Sequence, residues 1–210
     1  MNIVITGATR GIGAGLAAHY SGAGHSVVGT GRSAAADVTL DVTQPSDHTA
    51  LAERLAGVPI DLLVCNAGVY LDRGEALETG YAADIWAQTF AANVTGVFLT
   101  VQGMLPSLRL AARPKIAIMS SQMASHSRAP GGSYIYRASK AAVLNLGRNL
   151  ATDLAGEVAV GIYHPGWVQT DMGGPSAAIT VDQSVAGLVE RFEALSIETS
   201  GCFETWDGQA

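Results

Sequence analysis

Charge is scarce in this sequence, and its scarcity excludes one class of function. Of the 210 residues, 14% are charged, only 12 are Lys or Arg, and the formal net charge is −6. Proteins that bind the phosphate backbone of nucleic acids need clustered basic residues, and the basic residues here are scattered. We therefore expect no nucleic-acid partner. Since 48% of the residues are hydrophobic, the chain still has enough apolar material for a large core.

Cysteine and long apolar runs are scarce as well. The two cysteines, Cys65 and Cys202, are too few for a disulfide framework, and no Cys/His pair has the spacing of zinc ligands. We expect both thiols to be small buried hydrophobic side chains, and we expect no metal site. The chain has no signal segment and no apolar run of about 18 residues that could span a membrane. These absences predict a soluble, cytoplasmic protein with no membrane partner.

Short apolar runs alternate along the chain with longer helical patterns. Several runs are apolar at consecutive positions, which is typical of strands in a parallel sheet that is covered on both faces. The sequence predicts strands at 2–6, 25–30, 37–42, 60–66, 115–120, 158–164 and 201–206, and helices at 11–22, 45–56, 82–111, 134–155 and 181–195. This order predicts a single-domain α/β fold, a Rossmann-type doubly wound parallel sheet of about seven strands with helices on both faces. Only residues 31–36 separate the second and third strands, so we expect that link to be nearly extended or a single turn.

A glycine-rich turn joins the first predicted strand to the first helix. In TGATRGIG (6–13), Gly7 permits a tight turn, Gly11 permits a pyrophosphate to approach the backbone, and Gly13 permits the helix to pack against the sheet. The helix N-terminus then presents unpaired N–H groups and the positive end of its dipole, which favour phosphate. The turn alone is weakly specific, because glycine is common in turns that bind nothing.

The spacing T-G-x-x-x-G-x-G resembles that of the short-chain dehydrogenase/reductase family, and further motifs follow in the family's order. They are CNAG (65–68), ANVTG (92–96), IMSS (118–121), YRASK (136–140) and HPGWVQTDM (164–172). Cys65 departs from the family's N-N-A-G. The segments GGSYIYR and WDG are similar to the C-factor-like and sniffer-like carbonyl reductase branch. The resemblance covers nearly the whole chain and implies one NAD(P)-binding catalytic domain over residues 1–210.

The resemblance implies a catalytic set of Asn93, Ser121, Tyr136 and Lys140. Tyr136 and Lys140 are four residues apart, so they lie on one face of a helix. Lowering the pKa of a phenol from about 10 to about 7 requires roughly 4 kcal/mol, which a positive charge about 4 Å away supplies at an effective dielectric constant near 20. We therefore expect Lys140 to lower the pKa of Tyr136 and to prepare it for proton transfer with a carbonyl or alcohol oxygen. The alternative is a surface lysine beside a packed tyrosine.

Two of these assignments have competing interpretations. Ser121 is implied to hold the substrate oxygen, with Ser120 as its rival because adjacent strand residues face opposite ways. Asn93 is implied to hold a water molecule in a proton relay to Lys140. An asparagine that only bonds nearby backbone is the other interpretation of that position.

The expected cofactor is NADP(H) more than NAD(H). An NAD site normally ends its second strand with Asp or Glu, whereas this chain has Gly31 and Arg32 there and Arg10 in the glycine loop. Two arginines without a carboxylate favour the 2′-phosphate of NADP(H), although Arg32 also fits an ordinary solvated loop. The residues implied to contact the cofactor are Gly7, Thr9, Arg10, Gly11, Ile12, Gly13, Arg32, Asp41, Val42, Asn66, Ala67, Gly68, Tyr136, Lys140, Pro165, Gly166, Val168 and Thr170.

The resulting functional prediction is an NADP(H)-dependent oxidoreductase that interconverts a carbonyl compound and its alcohol. The short segment 171–180 favours a small or medium substrate. The alternative is a non-enzymatic NADP(H)-binding sensor or signalling protein on the same fold. The resemblance also implies a homodimer or homotetramer, because the family pairs the two long helices, here 82–111 and 134–155, across a two-fold axis.

Overall fold

Seven parallel strands form one sheet in the computed structural model, which describes residues 1–210. The strands are β1 Asn2–Ile5, β2 Ser26–Gly31, β3 Val38–Thr39, β4 Leu62–Cys65, β5 Lys115–Met119, β6 Ala159–His164 and β7 Phe203–Thr205. Their order across the sheet is β3-β2-β1-β4-β5-β6-β7. The predicted doubly wound fold is therefore confirmed. The direction of winding reverses between β1 and β4, and sheets of this kind bind ligands at the carboxyl ends of the strands beside such a reversal.

Six α-helices connect these strands. They are α1 Gly11–Gly22, α2 Pro45–Arg54, α3 Ala83–Phe90, α4 Gly96–Leu108, α5 Tyr134–Asp153 and α6 Val181–Ala194. No helix is both long enough and apolar enough to cross a membrane.

Each face of the sheet has its own hydrophobic core. Because side chains alternate along a strand, Val4 packs in the core that includes Met104 of α4, while its neighbour Ile5 packs with Leu16 of α1 and Phe192 of α6. The two cores cover both faces of the central strands, which explains their consecutive apolar residues. The central strands are thus buried on both faces, and the loops at their carboxyl ends start from a packed sheet.

Two elements differ from the sequence prediction. The third strand has two residues rather than the predicted 37–42, because the Asp41 carboxylate accepts hydrogen bonds from both the backbone N–H and the hydroxyl of Thr43 and begins a turn. The predicted helix 82–111 is interrupted by a π-helical turn at Ala91–Thr95, between α3 and α4. The short link between β2 and β3 is a single turn with a hydrogen bond from Ala36 N–H to Ser33 O, as predicted.

Candidate active site

Tyr136 and Lys140 lie on the inner face of α5, at the carboxyl edge of the sheet. They are 9% and 6% exposed, respectively. The Lys140 Nζ atom lies 5.6 Å from the centroid of the Tyr136 ring and donates a hydrogen bond of 2.9 Å to the carbonyl oxygen of Met119 at the end of β5. The spacing of four residues has therefore placed both side chains on one buried face of the helix.

The electrostatics of this pair differ from the sequence expectation. Burial raises the pKa of Tyr136 to about 12, and the nearby Ser121 hydroxyl opposes this rise. Burial also lowers the pKa of Lys140 to about 8. Desolvation disfavours the charged form of each group, and the amine is directed at the Met119 carbonyl. The net lowering of the Tyr136 pKa expected from Lys140 is therefore not seen, because burial is the largest influence on the phenol.

The two adjacent serines after β5 have different surroundings. Ser120 donates its hydroxyl to the carbonyl oxygen of Lys140 at 2.9 Å, so its side chain ties β5 to α5. The Ser121 oxygen accepts from the N–H of Met123 at 3.0 Å and lies close enough to Tyr136 to lower the pKa of the phenol. Only Ser121 thus faces the phenol.

Asn93 lies in the π-helical turn and is 1% exposed. Its side-chain oxygen accepts from the N–H of Val69, and its side-chain nitrogen donates to the carbonyl of Val69 and to the hydroxyl of Ser139. A methyl group built on Gly68 would lie 3.1 Å from Asn93 Oδ1 and 3.7 Å from Lys140 Nζ. The structure therefore brings Asn93 close to Lys140, but the asparagine side chain is bound to backbone and to Ser139.

The glycine loop after β1 is held by the segment after β4. The Thr6 hydroxyl oxygen accepts from the N–H groups of Asn66 and Ala67, and the Asn66 amide donates to the carbonyls of Thr6 and Gly7. Gly7 has a left-handed φ of 67°, which glycine adopts without steric cost. The Asn66 side chain is thus occupied in shaping the loop.

A side chain at Gly13 would collide with the glycine loop itself. A methyl group there would lie 2.2 Å from the carbonyl oxygen of Gly7 and 2.6 Å from Asn66 Nδ2. We expect Gly13→Ala to lower the free energy of unfolding by about 2 kcal/mol through overpacking. Gly22 closes the same helix with nothing within 4 Å of the added methyl, so Gly22→Ala serves as the matched control and is expected to be neutral or slightly stabilising. Urea unfolding of the two variants measures the difference, and equal midpoints would contradict the packing argument.

The segment after β6 reaches the glycine loop from the other side. A methyl group on Gly11 would lie 3.2 Å from Thr170 Cγ2. The Thr170 hydroxyl oxygen accepts from the N–H of Gly173, and the Pro165 carbonyl accepts from Ser184 of α6. Gly166 adopts a left-handed φ of 91°, and Val168 is buried. The Pro165–Thr170 segment therefore contacts the glycine loop through Thr170 and Gly11.

The two arginines predicted to bind phosphate have different neighbours. Arg10 forms an exposed ion pair of 2.6 Å with Asp171. Arg32 is exposed after β2. The pKa of Asp41 is lowered first by hydrogen bonding to Thr43 and further by the charge of Arg32. The intervening Asp37 carboxylate accepts from the N–H of Gly29 at 2.8 Å.

Thr9, Ile12 and Val42 are the remaining predicted cofactor contacts. Thr9 is exposed and Ile12 half-buried at the start of α1. The Val42 carbonyl bonds to His48 Nε2, and Val42 abuts Gly96, where an added methyl would lie 2.6 Å from that carbonyl oxygen.

Sequence reasoning missed three residues that surround Tyr136, all in the loop after β4. The Tyr70 ring stacks on the Tyr136 ring with centroids 4.4 Å apart and planes inclined by 25°. Asp72 is completely buried and accepts hydrogen bonds from the backbone at the start of α5. Arg73 lies over the Tyr70 ring at 5.0 Å and donates to the carbonyl of Met172. No local pattern marks these residues, because their partners are distant in the chain.

Known proteins resemble this chain in sequence and in fold. Residues 1–179 match the family model for short chain dehydrogenases. The C-signal protein of Myxococcus xanthus is 39% identical over 161 residues, covering 76% of this chain and 96% of C-signal. An NADPH-bound carbonyl reductase from chicken fatty liver superposes with a TM-score of 0.90 at 29% identity, covering 100% of this chain and 97% of that one. The carbonyl reductase Sniffer of D. melanogaster superposes with a TM-score of 0.91 at 26% identity, covering 99% and 97%.

Proposed function

Because this chain belongs to the short-chain dehydrogenase/reductase family of oxidoreductases, we propose that it interconverts a small or medium ketone or aldehyde and its alcohol with NADP(H). The observation that carries the proposal is the buried group of Ser121, Tyr136 and Lys140 beside the glycine loop. The likeness to an NADPH-bound carbonyl reductase supports the reaction class and the cofactor.

A dinucleotide is the ligand that we propose for the glycine loop and the strand ends beside it. The absence of side chains at Gly7 and Gly13 lets the glycine loop pack against Ala67 and Asn66, and the N–H groups at the N-terminus of α1 favour phosphate. A bound nicotinamide cofactor would supply or accept the hydride. The residues that we propose hold it are Gly7, Thr9, Arg10, Gly11, Ile12, Gly13, Arg32, Asp41, Val42, Asn66, Ala67, Gly68, Tyr136, Lys140, Pro165, Gly166, Val168 and Thr170.

The protein's own residues would handle the proton. With a pKa raised to about 12 by burial, Tyr136 is protonated at neutral pH and can donate its proton to a carbonyl oxygen. The Ser121 hydroxyl would hold that oxygen and stabilise charge that develops on it. The charged amine of Lys140 would favour the phenolate that remains. Asn93 is proposed to support Lys140, since both lie against Gly68.

Arg32 is the proposed determinant of cofactor choice. We expect at least about tenfold higher kcat/KM with NADPH than with NADH, because one charge-assisted contact with the 2′-phosphate contributes roughly 1.4 kcal/mol or more. Arg32→Ala should remove most of this ratio by weakening the reaction with NADPH. Arg113→Ala is the control, since Arg113 is exposed before β5 at the opposite edge of the sheet. Equal kcat/KM with the two cofactors in the wild type would contradict the assignment.

The test of the function is a screen of aldehydes, ketones and diketones in which oxidation of NADPH is followed by absorbance. Ser121→Ala should lower the activity of the protein toward any substrate found. Ser120→Ala should mainly lower the stability, because the Ser120 hydroxyl donates to a backbone carbonyl. Absence of turnover across the whole panel, together with tight NADPH binding, would contradict the reductase.

A signalling protein is the second candidate function, and the 39% identity to C-signal favours it. It predicts NADPH binding with no turnover, so the same screen distinguishes it from the enzyme. Assembly into a homodimer or homotetramer is a further proposal. It is supported by the exposed aromatic residues Trp86 and Phe98 on α3 and α4 and is checked by mass measurement in solution.

A further inference from the structure

The N-terminus of α5 is capped from a distant part of the chain. Asp72 accepts a hydrogen bond of 2.9 Å from the N–H of Ile135 and one of 3.2 Å from the N–H of Tyr136. The residue that normally caps a helix, here Ser133, has a left-handed φ of 49° and makes no side-chain bond to the helix. The carboxylate of the loop after β4 therefore replaces the local cap of the helix that carries Tyr136.

Because Asp72 is buried, its carboxylate needs compensating interactions within the protein. Asp72 is 0% exposed, and none of the three ion pairs of the protein includes it. A buried carboxylate is tolerated only where hydrogen bonds and charge compensate the lost water. The free N–H groups and the positive end of the helix dipole provide both at the start of α5. Asp72 and the first turn of α5 thus fix each other's position.

A second contact joins the same loop to the same tyrosine. Tyr70 stacks on Tyr136, and its hydroxyl bonds to the Ser133 hydroxyl just before α5. The loop consequently holds Tyr136 at its backbone through Asp72 and at its ring through Tyr70.

We propose that Asp72 is a positioning residue, which places the Tyr136 phenol opposite Ser121 by holding the backbone of Ile135 and Tyr136. The inference rests on the proposed function, because it gives Asp72 a part in orienting the proposed proton donor. It extends that function to a residue outside the Ser-Tyr-Lys set.

The first test compares Asp72→Ala and Asp72→Asn with a matched control. Asp182→Asn is that control, because Asp182 lies in the first turn of α6 but is exposed, and α6 has its own capping box from Thr180 and Gln183. Asp72→Ala is expected to lower kcat roughly 10-fold with the Kd for NADPH unchanged, since small misplacements of a reacting group are costly. Asp72→Asn keeps an acceptor oxygen and should lose less. If both variants melt earlier yet keep the wild-type kcat in the folded protein, Asp72 is only structural and the proposal is overturned.

The pH dependence provides a readout that a purely structural role would not move. The titratable or charged groups that face Tyr136 are Tyr70, Asp72 and Arg73 of the loop and Lys140 of its own helix. The negative charge of Asp72 raises the pKa of Tyr136, and the positive charge of Arg73 lowers it. Alcohol oxidation accelerates as the phenol loses its proton. The pH range over which the oxidation rate increases should therefore move to lower pH in Asp72→Asn and to higher pH in Arg73→Gln. An unchanged pH–rate profile in these variants would overturn the proposal.

A measurement without turnover separates this inference from the proposed function. The phenol of Tyr136 can be titrated by carbon NMR of labelled tyrosine, with its signal assigned by its loss in Tyr136→Phe. In Asp72→Asn its midpoint should fall, and exchange of the Ile135 and Tyr136 amide protons should accelerate, with neither change in Asp182→Asn. If these shifts occur in a protein that reduces no carbonyl compound, the proposed function fails while the positioning role stands. Unchanged titration and exchange would overturn the positioning role even in an active enzyme.

Discussion

Replacing Tyr136 with phenylalanine is expected to lower kcat/KM for carbonyl reduction by about 10³-fold, the contribution typical of a positioned general acid. The fold should tolerate the change, because phenylalanine retains the ring that stacks on Tyr70. The phenol forms no close hydrogen bond beyond the Ser121 interaction that lowers its pKa, so we expect the free energy of unfolding to change by no more than about 1 kcal/mol. Binding of NADPH should change little. Steady-state kinetics and urea unfolding of the same preparation measure both quantities.

Tyr134→Phe is the matched control for this prediction. Tyr134 lies on the same helix two residues earlier, is 39% exposed, and packs edge-on against Tyr81 instead of the site. It should retain wild-type kinetics. If Tyr136→Phe also retains them, the enzyme has another proton donor and the assignment of Tyr136 is wrong.

The placement of Tyr136 and Lys140 could be predicted because it depends on local geometry alone. A spacing of four residues on a helix puts both side chains on one face, and the order of motifs along parallel strands brings the strand ends to one edge. Strand alternation predicted only that Ser120 and Ser121 face opposite ways, and the choice of Ser121 came from the family resemblance. Their different hydrogen bonds agree with that expectation.

The electrostatics of the site could not be predicted in the same way. The estimate from the sequence placed a full charge about 4 Å from the phenol, but it contained no desolvation. In the structure Lys140 is buried and directed at Met119, and burial dominates both pKa values. Sequence spacing fixes which groups meet, whereas the number of atoms that exclude water from them depends on the whole fold.

Contacts between residues that are distant in the sequence could not be predicted either. Asp72 and Ile135 meet only in the folded chain, where the loop after β4 lies against the start of α5, and no periodicity links them. The π-helical turn at Ala91–Thr95 was missed for a related reason. Its Asn93 bonds to Val69 on another segment, and Gly96 just after the turn lies against Val42. Local helix propensity carries no information about such tertiary contacts.

Replacing Lys140 with methionine is expected to lower kcat/KM by at least about 10²-fold, the effect of removing an electrostatic stabiliser from a buried site. The same substitution removes a source of instability at neutral pH. Burial lowers the pKa of Lys140 from 10.5 to about 8, so the folded protein releases this proton near pH 8, while the unfolded chain keeps it to about pH 10.4. Below pH 8 the charged amine therefore costs on the order of 3 kcal/mol of stability, and this cost is relieved as pH rises between the two values.

Methionine has similar length and no charge, so it removes the cost of the buried charge. It also removes the hydrogen bond to Met119, and this loss cancels about 1–3 kcal/mol of the gain in stability. The decisive quantity is therefore the change of the free energy of unfolding with pH. Between pH 8 and pH 10.5 it should increase more for the wild type than for Lys140→Met. Lys115→Met is the control, because Lys115 is the only other lysine and bonds the carbonyls of Phe192 and Glu193 far from Tyr136. That variant should retain the part of the rise that Lys140 causes, as well as its activity. Parallel stability curves for the wild type and Lys140→Met would contradict this prediction, because they would mean that the folded protein and the unfolded chain release the Lys140 proton at the same pH.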